Sequence, residues 1–236
     1  MVKIISSIIA VIFPSTRRIF LIMARKKPLR LYTIDNARRR LEQRAHWSKW
    51  LREPVERETI IQRSVEKNIF RTFAHMDEPP SDCYRAWATR IYPRLLRRLE
   101  KVRSQRTYDR VIQAYALQLA LHWQQVQGEK MEYGPATKII NLLVKMMFLY
   151  QDLHLPSLPT WYNVPFDSYT LQPLKEIIND LLSEAPFGMP MNGQMTMNYV
   201  VCAEQYDQIQ GAIRELCGGT RKTPLDFELW AWNSRH

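Results

Sequence analysis

The chain has 236 residues, enough for one well-buried domain, and its 46% hydrophobic and 11% aromatic content is typical of globular proteins. Seven glycines are few, and the short turn signals of all-β proteins are largely missing, so the composition favours helices. The net charge of +11 suits a partner rich in phosphate, such as DNA or another nucleic acid, although it is also compatible with a merely basic globular protein.

Residues 1–30 are predicted to be a basic and apolar leader outside the fold. Residues 4–13 are apolar but only about half as long as the ~20 residues of a membrane span, so we expect no stable membrane insertion. A signal peptide is conceivable because Lys3 precedes the apolar stretch, but no clean cleavage site follows. We prefer Met23 as the true start, which leaves an ordinary basic leader.

The remainder, residues 31–236, is predicted to be one all-α domain. Asp35 and its neighbours mark the start of a basic helix that should run through Leu51. Apolar residues at helical spacing from Ile60 to Phe73 predict a second helix, and Ser81 is the expected cap of a third.

The third helix combines an apolar face with a strongly basic one, and Pro93 is expected to kink it. A basic run is usually a solvated face, but here a single acid, Glu100, interrupts seven cations that repel one another without an anionic partner. We therefore predict phosphate contacts on this helix. The expected inward residues are Tyr84, Trp87, Ala88, Ile91, Leu95 and Leu99, and the cations are Arg90, Arg94, Arg97, Arg98, Lys101, Arg103 and Arg106.

The next helices run from Thr107 to Gly128 and from Pro135 onward, where the apolar face includes Ile139, Ile140, Leu143, Met147 and Phe148. A proline-rich loop follows, in which Trp161 and Tyr162 offer stacking surface or, alternatively, plug the core. Later helices are predicted after Asp167, after Thr196 and after Thr223-Pro224.

Two residues of this central stretch could support chemistry. Lys138 lies in the first turn of the apolar helix, where partial burial and the helix N-terminus would favour the neutral, nucleophilic amine. Asp167 lies at the start of the following helix and could take up a proton. The alternatives are a lysine that extends along its helix surface and an ordinary helix-capping aspartate.

Residues 137–143, T-K-I-I-N-L-L, followed after a loop by F-D-S-Y at 166–169, resemble the helix-hairpin-helix DNA glycosylase superfamily, which has an 8-oxoguanine-glycosylase-like fold. The family motif reads K-T-A-N-V-V followed by V-D-T-H, and the resemblance covers residues 133–182. It implies that Lys138 attacks the sugar and that Asp167 assists. The family's glycine-rich hairpin is reduced here to M-E-Y-G-P, with one glycine.

Other kinds of site have little support in the sequence. The three cysteines, Cys83, Cys202 and Cys217, have an odd count, which argues against a disulfide framework, and no metal-ligand spacing, which excludes an iron–sulfur cluster. They are expected to be small buried residues in a reducing cytoplasm. The five histidines are scattered, and neither a phosphate-binding loop nor a hydrolase motif occurs, so we expect no metal and no cofactor.

Three hypotheses follow from the sequence. The first is a DNA glycosylase, possibly also a lyase, with Lys138 as nucleophile, Asp167 as assisting carboxylate and an aromatic, Trp161 or Tyr162, that stacks on the extruded base. The second is a non-enzymatic nucleic-acid-binding module. The third is a helical protein-interaction or toxin-like domain. In the first two, Arg90, Arg94, Arg97, Arg98 and Lys101 would contact phosphates.

Overall fold

The computed structural model describes residues 34–65, 69–70, 73, 79–165, 170 and 203–233. These residues form eight α-helices and one 3₁₀ helix, and no strand occurs among them, which confirms the predicted all-α class. All of them belong to one compact unit, Tyr32–His236. The leader predicted at residues 1–30 lies outside the described residues.

The helices follow one another in a single chain order. They are α1 (Ile34–Glu42), the 3₁₀ helix (Trp47–Trp50), α2 (Arg57–Arg63), α3 (Pro80–Leu99), α4 (Gln105–Gln127), α5 (Tyr133–Leu149), α6 (Leu158–Trp161), α7 (Ala203–Gly218) and α8 (Pro224–Asn233).

Helix α5 is the centre of the core, because 15 of its 17 residues are buried. It packs mainly against α4 and also against α2, while α3 packs against both α2 and α4. Helix α8 contacts α1, the 3₁₀ helix, α6 and α7. Short connections join α3 to α4 and α4 to α5, as expected for neighbouring helices of a bundle.

Helix α3 has the two faces that the sequence predicts. All six expected inward residues are buried, with exposed fractions of 8% or less. The helix starts at Pro80 rather than after Ser81, because a proline in the first turn gives up no intrahelical hydrogen bond. It then continues as one helix through Pro93.

Helix α4 also starts earlier than predicted, at Gln105 instead of Thr107. Ser104 is the cap: its hydroxyl accepts a hydrogen bond from the Thr107 amide, and the Thr107 hydroxyl in turn accepts one from the Ser104 amide. This reciprocal capping box uses Thr107 as its third helical residue. The predicted end is confirmed, since Gly128 adopts φ 72°, a left-handed conformation that favours glycine.

The predictions for the first two helices were too long. Helix α1 ends at Glu42, and the chain resumes as the 3₁₀ helix because the His46 ring accepts a hydrogen bond from the Ser48 amide. The Trp47 amide donates to the Asp226 carboxylate at 2.6 Å, so it does not donate to a main-chain carbonyl as it would in a continuing helix. Helix α2 ends at Arg63, and Ser64 follows as its cap.

The C-terminal helices agree with the sequence where they are described. Helix α7 ends at Gly218, and α8 begins at Pro224, directly after Thr223, whose amide and hydroxyl both donate to Asp226. The helix predicted after Asp167 and the cap predicted at Thr196 lie outside the described residues. None of the helices in the described part of the chain is long and apolar enough to cross a bilayer.

Candidate nucleic-acid interface

Four cations on the exposed face of α3 and one just after its end form a stripe, which we call the α3 cation stripe: Arg90, Arg94, Arg97 and Arg98 on the helix, and Lys101 two residues beyond Leu99. The spacings of three and four residues place the four helical cations on one side of α3, opposite the buried face. All five are exposed, and none of them forms an ion pair with a carboxylate among the described residues. These five positions therefore carry accessible positive charge, and their contact with nucleic acid stays a prediction.

Three of these cations act electrostatically on one buried phenol, and one of them contacts its ring. The Arg98 guanidinium lies 6.0 Å from the centre of the Tyr115 ring, which α4 contributes. Burial raises the pKa of the Tyr115 hydroxyl, while the positive charges of Arg98, Arg94 and Arg97 act in the opposite direction. Arg98 thus contacts α4 through this ring, while its side chain stays exposed to solvent.

Arg103 and Arg106, the last two cations of the predicted basic run, lie beyond the end of α3. Arg103 donates to the main-chain oxygens of Glu100 and Val102, at 2.6 and 2.8 Å. It neutralises the C-terminal end of α3, where carbonyl groups lack helical partners. Its role is structural, whereas Arg106 is exposed on the first turn of α4.

A groove of about 320 Å³ runs between α3 and α4, beside the cation stripe. We call it the α3/α4 groove. Trp87, Arg90, Ile91 and Arg94 line it from α3, and Gln118, Leu121, His122 and Gln125 line it from α4. The Arg90 guanidinium approaches the His122 ring nitrogen Nδ1 at 3.5 Å across the groove. Sequence periodicity could not reveal the α4 wall, because its position depends on how the two helices pack.

Lys138 lies on the buried helix α5, with 8% of its surface exposed, between Thr137 and Ile139, which are each 1% exposed. Seven residues further along the same side of the helix, Lys145 forms a buried ion pair with Glu228 of α8 at 2.5 Å. The helix begins at Tyr133, two residues before the predicted start, so Lys138 lies in its second turn.

Asp167 lies outside the described residues, so its separation from Lys138 stays a prediction. The loop that leads to it, residues 161–165, is tied to α7 at Val164. The side chain of Gln210 accepts from the Val164 amide at 3.0 Å and donates to the Val164 carbonyl at 2.8 Å. On the other side of Asp167, the buried Thr170 donates to the Pro165 carbonyl at 3.0 Å. Both flanks of Asp167 are therefore anchored in the fold.

Polar side chains from α4 and α7 hold the same loop. Asn163 donates to the Asp109 carboxylate at 2.8 Å and accepts from Arg214 at 3.1 Å. Gln105 donates both to Asp109 and to the Trp161 carbonyl, each at 2.9 Å. These hydrogen bonds connect the start of α4, which follows the cation stripe, with the loop before Asp167.

The two aromatic residues predicted to stack on a base have different environments. Tyr162 is fully buried, and its hydroxyl donates to the Asn141 carbonyl of α5 at 3.5 Å. In this position its ring closes the core and offers no face to a ligand. Trp161 is partly exposed and packs against the core edge, so of the two it is the ring that can reach a bound molecule.

The described cysteines are parts of the core. Cys83 and Cys217 are buried, and Cys202 lies outside the described residues. Burial and the nearby Asp226 raise the pKa of the Cys217 thiol to about 12, which keeps it protonated and unreactive. Within the described ranges, no group of three or more His, Cys, Asp and Glu side chains is arranged to hold a metal ion.

Comparison with known proteins identified no relative of this chain. No family model, no curated protein and no solved structure matches the chain. Function must therefore be inferred from the geometry and charge of the residues themselves.

Proposed function

We propose that this protein binds nucleic acid through the α3 cation stripe. The observation that carries the proposal is a row of five exposed cations, four on one face of α3 and Lys101 just beyond its end, that have no carboxylate partner among the described residues. The net charge of +11 acts in the same direction, because it attracts a polyanion from a distance.

An anionic partner would stabilise this surface, because the like charges that α3 holds close together repel one another. A phosphate backbone offers anions at regular spacing along the stripe, and each contact releases condensed counterions from the nucleic acid. The contacts would fix the position of the strand without reading its sequence.

Binding should therefore weaken steeply with salt. We expect replacement of Arg94, Arg97 and Arg98 by glutamine to reduce the slope of log affinity against log salt concentration by roughly two to three, since each phosphate contact contributes about 0.7–0.9. Fluorescence anisotropy with a labelled oligonucleotide measures this slope.

The matched control changes the same amount of charge elsewhere. Lys49, Lys130 and Arg221 are exposed cations outside α3, and their triple replacement by glutamine should leave the slope nearly unchanged. Equal slopes for the two triple variants would contradict binding at the stripe, as would affinity that does not depend on salt.

A finer proposal is that the protein is a DNA glycosylase in which Lys138 attacks the sugar and Asp167 assists. It is supported by the burial of Lys138 at 92% of its surface and by the anchored loop on both sides of Asp167. An amine acts as a nucleophile in its neutral form, which burial favours.

Borohydride trapping on duplexes that each carry one damaged or modified base tests this reaction, because reduction fixes the lysine–sugar adduct. Lys138→Gln should abolish the adduct and leave salt-dependent binding intact, whereas Lys130→Gln should form as much adduct as the unchanged protein. An absence of adduct on every duplex, together with preserved binding, would support the non-enzymatic binding module instead.

A further inference from the structure

We infer that the α3/α4 groove receives an unpaired nucleotide, so that the nucleic acid bound is single-stranded. This inference rests on the proposed function, since it names the form of nucleic acid that the cation stripe holds. It is carried by the apolar and hydrogen-bonding groups beside the stripe, which a duplex backbone would not use.

The first observation is exposed apolar surface next to positive charge. Leu121, which lines the groove, is 51% exposed, and Leu117, one turn earlier on the same side of α4, is 61% exposed. Exposed leucines favour a ligand that covers them with an apolar face. In a duplex the base faces are stacked on one another, whereas an unpaired base presents its face to the protein.

The second observation is the polar lining. Gln118, His122 and Gln125 line the groove from α4, and their side chains can pair with the donor and acceptor groups on a base edge. Burial and the charge of Arg90 lower the pKa of His122, so the ring is neutral near pH 7. If Nδ1 accepts from Arg90, the proton lies on Nε2, which can then donate to a base.

The third observation is size and position. A volume of about 320 Å³ lies at the lower end of the range of small-molecule sites, about 300–1,000 Å³, and so suits one nucleotide. Arg90 and Arg94 belong both to the groove and to the cation stripe, so a phosphate held there would place its own base over Leu121. The stripe continues to Lys101, which gives the neighbouring phosphates further cations.

An acidic amphipathic helix is the competing ligand, since it would also combine apolar side chains with negative charge. The helical part of the stripe extends about 12 Å from Arg90 to Arg98, at about 1.5 Å per residue, and Lys101 continues it, whereas the strongly exposed apolar side chains beside it on α4 are the two leucines, Leu117 and Leu121. A regularly charged strand uses this whole length, and we therefore favour it over a peptide helix.

The test compares a labelled single strand of about twelve nucleotides with the duplex of the same sequence, using the full chain. We expect the single strand to bind at least about fivefold more tightly. Leu121→Gln should weaken single-strand binding by about threefold or more and leave duplex binding unchanged, because only the unpaired base covers this side chain.

Val126→Gln is the matched control, because Val126 is a 41% exposed aliphatic residue of the same helix outside the groove lining. Gln118→Ala with His122→Ala is a second groove variant, and circular dichroism verifies that each variant is folded. Both groove variants should reduce the single-strand preference by about threefold or more, and the control should keep it unchanged.

The inference is overturned if the duplex binds as tightly as the single strand, or if the preference survives both groove variants. It is also overturned if a Glu-rich amphipathic peptide binds in a Leu121-dependent way and no single-strand preference exists. In each case, a salt slope that still depends on Arg94, Arg97 and Arg98 leaves the proposed function standing. Loss of that dependence contradicts the proposed function itself.

Discussion

Lys145 and Glu228 form an ion pair that is buried in the core. Their side chains are 8% and 0% exposed, and Nζ lies 2.5 Å from Oε1. Removing such charges from water is costly, and mutual attraction offsets that cost only when both members are present. The pair joins the central helix α5 to α8, so it fixes how the C-terminal helix is placed on the core.

Lys145→Met should therefore destabilise the protein by roughly 3–5 kcal/mol, because the buried Glu228 carboxylate loses its ammonium. Adding Glu228→Gln should restore part of that stability, since it removes the charge. Urea unfolding followed by circular dichroism measures both free energies of unfolding.

Lys130→Met is the matched control for this experiment. It breaks an ion pair with Glu132 whose side chains are 71% and 46% exposed, so a change below about 1 kcal/mol is expected. A Lys145→Met variant as stable as this control would show that the buried pair is not needed.

The pKa of His122 is lowered first by burial and then by the positive charge of Arg90. In the unfolded chain the pKa of this histidine is near 6.5. Above that pH the ring is neutral in both the folded and the unfolded state, so the contribution of the neutral ring to stability is fully present. As pH falls below that value, the unfolded chain takes up the proton more readily than the folded one, so stability is lost.

His122→Gln should consequently reduce the loss of melting temperature between about pH 7.5 and about pH 5. His154→Gln, which replaces an exposed histidine, is the control, and differential scanning calorimetry supplies the melting temperatures. A His122→Gln variant whose melting temperature falls more than that of the unchanged protein would contradict the sign of the shift.

At the scale of elements, polar side chains decide where helices begin and where the loop before Asp167 lies. The Gln210 side chain of α7 pairs with both the amide and the carbonyl of Val164, as the main chain of a neighbouring strand would in a sheet. Because Gln210 is 1% exposed and Val164 is 0% exposed, water cannot replace these bonds.

Gln210→Leu should cost roughly 1–3 kcal/mol for a buried main-chain group left without its partner. It should also speed hydrogen exchange at the Val164 amide, which NMR detects residue by residue. Gln208→Leu makes the same change at an exposed position of the same helix and should alter neither quantity. Unchanged exchange at Val164 in Gln210→Leu would mean that other contacts hold the loop.

At the scale of the whole molecule, periodicity was enough to predict the all-α class, the buried face of α3 and the central position of α5. It failed where a single polar contact sets a boundary, as at Ser104 and at Trp47, whose amide binds Asp226 more than 170 residues away. The exposed cations of the stripe could be located from the sequence, because four of them lie on one face of one helix. The α3/α4 groove was not, because it depends on the packing of two helices.

The net charge of +11 leads to a final prediction about salt and stability. Like charges are closer together in the folded chain than in the unfolded one, so self-repulsion destabilises the fold and screening relieves it. The melting temperature should therefore rise as NaCl increases from about 20 to about 200 mM, over the range in which nucleic-acid affinity falls. NaCl is preferable to sulfate or phosphate, which stabilise proteins by exclusion from the surface.

The variant in which glutamine replaces Arg94, Arg97 and Arg98 should show a smaller rise in melting temperature, because it removes three neighbouring cations. A melting temperature that falls with NaCl would mean that attractive ion pairs, not repulsion within the stripe, dominate the surface.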